Sequence, residues 1–216
     1  MKKSVMMAVL FIFLFGCAGI FPARKALQED ISVPAGKIEG NQFTGIRYHF
    51  NVSVPSHWKL STEFPDFLEQ LGYDKPFSTD KEQTELYAYN PETKSHILFD
   101  FTPAGRYARF DQKTIEQYVS IGTESFKAEL DKQYGKGVVK PVVYPVEPIF
   151  LKGVQYAAKK YATYTVKGVK WEQAWIYGFT EPYQIFILYT IFEKGGATDR
   201  QDIKKILDSF EFMTKK

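Results

Sequence analysis

The chain has 216 residues, with 28 basic and 25 acidic side chains, 19 Phe, 14 Tyr and a single Cys. A balance this close to neutral cannot supply the clustered phosphate neutralisation that nucleic-acid binding requires, so nucleic acid is excluded as a partner. One cysteine permits no intramolecular disulfide; the fold must be held by its core, and the high aromatic content favours strands and a thick interior.

Lys2 and Lys3 open the chain, followed by an unbroken apolar run from Val5 to Phe15 that closes in Leu14-Phe15-Gly16-Cys17. A charged start, a short apolar stretch and a small residue at its end form an export signal. As a helix, residues 5–15 span roughly 16 Å at about 1.5 Å per residue, well short of the about 30 Å of a hydrocarbon core. Leu14 at the third position before the cysteine and Gly16 directly before it resemble the lipobox of bacterial lipoproteins, although Phe15 is bulkier than the residue usual there. The resemblance implies a signal peptide over residues 1–16, cleavage between Gly16 and Cys17, and fatty acylation of Cys17, with palmitate among the chains. An uncleaved anchor helix and an ordinary secreted signal are the alternatives. Each buried methylene contributes about 0.8 kcal/mol, so three acyl chains make attachment to membrane lipid effectively permanent. Ala18, rather than Asp, resembles lipoproteins sent to the outer membrane of diderm bacteria. The expected location is therefore the bacterial cell envelope, on the periplasmic face of the outer membrane. Removing residues 1–16 takes two lysines and no acid, leaving 26 basic and 25 acidic side chains.

From Cys17 to residue 44 the sequence reads as a lipidated N-terminus and tether. Charges mix with a weak helical pattern over residues 23–31, Pro34-Ala35-Gly36 breaks it, and Gly40 and Gly45 flank polar residues. Residues 45–216 are read as one globular domain of about 170 residues, ample for a core of its own. Tyr48 to Val54 alternates, placing Phe50, Val52 and Val54 on one face of a strand that Pro55 stops. Pro65 to Leu71 makes one or two helical turns ended by Gly72. Leu86–Tyr89 and His96–Phe101 flank the turn-forming hexapeptide Asn90 to Ser95, which predicts a hairpin. The best helix follows: Asp111 is its N-cap, Phe110 and Ile115 stand at the spacing of a hydrophobic staple, and Gly135 ends it. Ile115, Tyr118, Val119, Gly122, Phe126, Leu130 and Tyr134 trace its apolar face.

Pro141, Pro145 and Pro148 confine any strand between residues 138 and 148 to a sheet edge. Three long strands are expected over residues 155–166, 169–179 and 183–192, joined by Lys167-Gly168 and Thr180-Glu181-Pro182 into an antiparallel meander. Thr198 and Gln201 have capping-box spacing, Ile203, Ile206, Leu207 and Phe210 form a helical stripe, and Glu211 to Met213 return as a short strand. Helices on an antiparallel sheet make an α+β domain. The run Phe50 to Val54 followed by Pro55-Ser56-His57-Trp58 resembles the opening of the PsbP-like fold. The segment Asp202 to Phe212, with Ser209-Phe210-Glu211-Phe212, resembles that fold's last helix and exit. This fold is shared with DcrB-type bacterial lipoproteins and its members are mainly binding and assembly factors. The resemblance carries over no catalytic residue.

Chemical motifs are sparse. Gly40 to Gly45 begins like a phosphate loop, but Ile46 stands where a lysine is needed, and the three histidines His49, His57 and His96 lie on separate elements. No metal and no cofactor is expected. Asn51-Val52-Ser53 matches a glycosylation sequon by chance, inside a strand. Two places suggest contact with a partner or ligand. Trp171, Trp175 and Tyr177 share one strand face with Gln173 and Phe179. If this face points inward they are core, and if outward a docking platform. Their opposite face, Lys170, Glu172, Ala174, Ile176 and Gly178, is the more polar one. Arg106 and Arg109 stand beside aromatics just before the long helix, where they would attract anions. The function expected is a non-catalytic envelope lipoprotein that docks or helps assemble a protein partner. The alternatives are a carrier of a small apolar or sugar ligand, and a hydrolase with its cleft beside the helix of residues 111–134, built from Asp100, Arg106, Arg109 and Glu124.

Overall fold

The computed structural model describes residues 32–73, 75, 84–104 and 110–213. Gly16, Cys17, Arg106 and Arg109 lie outside the described residues. Among those described, the strands form two antiparallel sheets. The smaller joins β1 (Gly36–Glu39), β2 (Gln42–Gly45), β3 (Phe50–Ser53) and β12 (Glu211–Phe212), in the order β1-β2-β3-β12. The larger runs β4 (Lys59–Ser61), β5 (Thr84–Tyr89), β6 (His96–Pro103), β11 (Tyr183–Phe192), β10 (Val169–Thr180), β9 (Tyr156–Val166) and β7 (Val142–Val143); β8 (Glu147–Pro148) also pairs with β9. Helices α1 (Asp66–Gln70) and α2 (Gln112–Tyr134) cover one face of the large sheet. The small sheet and α3 (Gly196–Ser209) cover the other.

The three long strands stand where the sequence places them. Lys167 and Gly168 join β9 to β10 with both φ angles positive, 49° and 82°, the backbone of a two-residue hairpin turn. Asp111 caps α2, its carboxylate accepting from the Thr114 amide at 2.7 Å. Ile115, Val119 and Leu130 are buried, whereas Tyr118 is 46% exposed at the edge of the face and Thr123 takes a buried place instead.

The folded part, expected to start at residue 45, already includes residues 36–44. Residues 36–45 are the β1–β2 hairpin, and its one buried ring, Phe43, packs 5.0 Å from Phe50. Gly40, at φ +61°, makes the turn; Gly45 lets the chain pass so close that a Cβ there would lie 2.0 Å from the Tyr48 carbonyl oxygen. The two glycines read as linker are thus demands of a turn and a tight crossing. The cap of α3 also differs. The helix starts at Gly196, so Thr198 lies within its first turn, and the Asp199 side chain folds over Gly195 where any Cβ would collide with it.

Both faces of the large sheet are buried. On one, Phe50, Phe99, Phe101 and Phe210 meet with centroids 4.5–6.1 Å apart, together with Ala174, Ile176, Ile185, Ile187, Ile203 and Ile206. On the other, Trp175 and Phe179 pack against Ile115 and Val119. The β10 face that reads as the more polar in sequence is therefore the one turned to the main core. Ala174 and Ile176 are fully buried, and only the end carrying Lys170 and Glu172 reaches water.

The two segments that carry the PsbP-like resemblance meet. The Asp202 carboxylate, on α3, accepts from Trp58 Nε1 at 3.2 Å, His57 Nε2 at 2.8 Å and Lys205 Nζ at 3.1 Å. Burial alone would raise its pKa, but these donors from Lys205, Trp58 and His57 together hold it below the usual carboxylate value. Ser209 exchanges hydrogen bonds with both the amide and the carbonyl of Ser53, while Phe210 and Phe212 enter the core.

Trp58→Phe keeps the ring but leaves Asp202 one donor short; it is expected to cost about 1–3 kcal/mol in urea unfolding. A second prediction concerns Glu85, buried beside Arg47 at 2.6 Å. Burial outweighs the attraction of Arg47, Asp100 adds repulsion, and the carboxyl is pushed from 4.5 up to about 7. A raised carboxyl pKa stabilises fully below the unfolded value and is lost as pH rises through the folded one. Wild-type stability should therefore decline from pH 4.5 to 7 relative to Glu85→Gln, in urea unfolding at stepped pH.

Candidate functional site

The layer of small sheet and α3 does not reach the far strands. Beyond α3, a groove of about 940 Å³ opens over the ends of β9, β10 and β11. Its floor carries Tyr161, Thr163, Glu172, Tyr189 and Ile191; α3 forms one wall with Arg200, Gln201 and Lys204; Tyr144 and Glu147 form the other. Alternation along the strands sets this floor, because Tyr161 and Lys159 share a face of β9 and Glu172 lies on the matching face of β10.

Two ion pairs lie within the groove. Arg200 places Nε and Nη2 on one oxygen of Glu172, at 3.2 and 2.7 Å, joining wall to floor. Lys159 reaches Glu147 at 2.7 Å and joins the floor to the opposite wall. The hydrogen bond to Glu172, against a smaller opposing effect of burial, raises the Arg200 pKa. Tyr144 stacks on Tyr161 with centroids 4.2 Å apart and planes 9° from parallel, and its amide donates to the Tyr161 carbonyl. Burial raises the pKa of Tyr161 and Tyr189, and neighbouring carboxylates add to it, so both phenols stay neutral and keep a proton to donate. Chemically the groove is aromatic, concave and braced by two ion pairs.

The residues singled out from the sequence divide. Trp171 is half-buried at the groove's end, T-shaped against Phe192 with centroids 4.5 Å apart. Trp175 is buried under α2, where its indole N–H donates to the Val119 carbonyl at 2.9 Å and Gly122 leaves room for it; it is core and offers no contact surface. Tyr177 is half-buried between Tyr118 and Phe186. Of the residues proposed for a hydrolytic cleft, Glu124 is exposed and pairs with Lys127 on its own helix at 3.1 Å, and Asp100 sits on β6. His96 is buried and bonded to Tyr73, with burial lowering its pKa to about 4. Tyr144, Tyr161, Tyr189, Glu172 and Arg200 were not legible as a group, because each looks like an ordinary strand or helix-surface residue until the strands are in register. The alternation Lys159, Tyr161, Thr163 was the available signal.

No family model matches the chain, and no curated protein matches it. Among solved structures it is similar to cyanobacterial PsbP (CyanoP) from Synechocystis sp. PCC 6803. The TM-score is 0.55 at 9% identity, over 85% of this chain and 95% of that one. It is also similar to LpqN from Mycobacterium tuberculosis, a protein involved in cell envelope biogenesis. There the TM-score is 0.50 at 11% identity, over 77% of this chain and 84% of that one. What is shared at such identities is the fold: an α+β architecture of the PsbP-like kind.

Core and groove should respond differently to truncation. Trp175→Ala empties the space under α2 and is expected to cost about 3–5 kcal/mol. Arg200→Ala opens a half-exposed ion pair and should cost less than about 1 kcal/mol. Urea unfolding of the two variants measures both.

Proposed function

We propose that the chain is a lipid-anchored protein of the bacterial cell envelope and that its folded domain is a non-catalytic module docking a protein partner in the groove beside α3. The observation that carries the docking reading is the make-up of the groove. Trp171, Tyr144, Tyr161, Tyr189 and Arg200 are the residue types on which binding energy concentrates at interfaces. The pairing of charges supports it further. A partner that covers Glu172 and Arg200 buries a pair whose hydrogen bonds are already made, which avoids the cost of desolvating isolated charges. The orientation of both side chains is set before any partner arrives, so little ordering remains to be done on binding.

The anchor reading is supported by Leu14-Phe15-Gly16-Cys17, and the envelope role by the fold held in common with LpqN. Ala18 favours the periplasmic face of the outer membrane. Acyl chains on Cys17 would hold the domain at a surface and raise its effective concentration toward partners in the same membrane.

Two measurements in intact cells test the two halves. Labelled palmitate should enter the wild type and not Cys17→Ser; incorporation into Cys17→Ser contradicts the anchor. A photo-crosslinking residue at Gln201, exposed on the α3 wall, should capture a discrete protein, whereas one at exposed Glu129 on α2 should not. Equal capture from both positions, or none from Gln201, contradicts docking in the groove.

A further inference from the structure

On the opposite face of the large sheet the ends of α1 and α2 meet the β9–β10 turn. Gln133 donates to the Leu71 carbonyl at 3.1 Å, and Gly72, at φ +90°, leaves the space that the Gln133 side chain fills. This junction frames a second, open depression of about 580 Å³, within the size range of small-ligand sites. Its walls are Leu71, Tyr134, Val166, Val169, Trp171 and Phe192, so Trp171 and Phe192 separate it from the groove.

The mouth is different in kind. Lys94 comes from the β5–β6 turn, Lys167 from the β9–β10 turn and Lys194 from the segment after β11, with Glu69 as the one acid among the lining residues. Among the described residues none of these three lysines is in an ion pair. Lys94 lies 5.4 Å from the centre of the Phe67 ring, and Lys194 gives one of its three protons to the Glu92 carbonyl at 3.0 Å. Three turns from separate parts of the chain thus bring three positive side chains, against one acid among the described lining residues, to the rim of an apolar depression.

That combination selects the ligand. Away from the rim, the described lining offers an ionised group no charged partner to repay its lost hydration. A peptide would bring backbone N–H and C=O groups that the apolar walls leave unmatched. An alkyl chain has neither problem, and a negative head would meet the lysines. We infer that the cavity binds a single-chain anionic lipid, its alkyl chain between Val166, Val169 and Trp171 and its head on Lys94, Lys167 and Lys194. This site opens on the other side of Trp171 and Phe192 from the groove, and the inference does not rest on a partner docking there.

The test uses the full chain in phosphatidylcholine nanodiscs and a fatty-acid probe carrying a diazirine near its methyl end. Photolysis should place adducts on the peptides containing Leu71 and residues 166–171. The methyl ester of the same probe should label about tenfold less, because it lacks the charge that the lysines meet. Competition by unlabelled alkanoates should strengthen about fourfold per added methylene until the cavity is full. Lys94→Glu, Lys167→Glu and Lys194→Glu combined, all at exposed positions, should reduce acid labelling to the ester level with an unchanged circular-dichroism melt. Val169→Asp, at a site already 44% exposed, should do the same by closing the apolar entrance. Equal labelling by acid and ester, adducts elsewhere, an absence of chain-length dependence, or displacement by inorganic phosphate alone would each overturn the inference.

Discussion

A carboxylate taken out of water must be met by donors, and Asp202 is the place where this fold meets that demand from both ends of the domain. Its partners Trp58 and His57 lie some 145 residues earlier in sequence, directly after β3. Satisfying the carboxylate therefore fixes α3 against the layer built by the first strands. Ser209 repeats the link about two helical turns later, holding both main-chain groups of Ser53. The consequence reaches the groove, because α3 is its wall and Arg200 stands on the helix that Asp202 holds.

The second constraint is that the large sheet has no free face over most of its area. Phe50, Phe99, Phe101 and Phe210 fill one side and the Trp175 and Phe179 contacts with α2 fill the other. Such two-sided burial lets a chain with one cysteine hold together without a disulfide framework. It also explains where openings occur. The groove lies where the inner layer stops at α3, and the lysine-rimmed cavity where α1 and α2 end, so both are at borders of the covering layers.

Much of this was legible. Long alternating strands joined by Lys167-Gly168, a helix bounded by Asp111 and Gly135, and the hairpin about Asn90 to Ser95 are local signals that tertiary packing did not override. The β1–β2 hairpin was hidden because its burial rests on Phe43 alone among polar neighbours and glycines. The start of α3 was misread because Thr198 and Gln201 have the spacing of a cap, whereas Gly195 and Gly196 let the helix begin earlier and Asp199 occupies the space over Gly195. Strand β10 was ambiguous for a different reason: Ala174 and Ile176 sit between charged residues that cluster at one end only. Trp171 was singled out and does line the groove, but Tyr161, Tyr189 and Arg200 converge through long-range register and helix docking, which no local pattern encodes. The covalent fate of Cys17 and the surroundings of Arg106 and Arg109 belong to segments outside the described residues.

The account stands on α3 being locked to the sheet as a rigid wall, and native-state hydrogen exchange on the full chain measures that directly. The amides of Ile203, Ile206 and Leu207 should exchange only through the same global opening that exposes Ile185 and Ile187 in β11, with matching dependence on low denaturant. Exchange of the α3 amides through an independent, low-energy local opening would contradict the account: the wall would be loose, and neither Asp202 nor the groove it frames would have the role assigned to it.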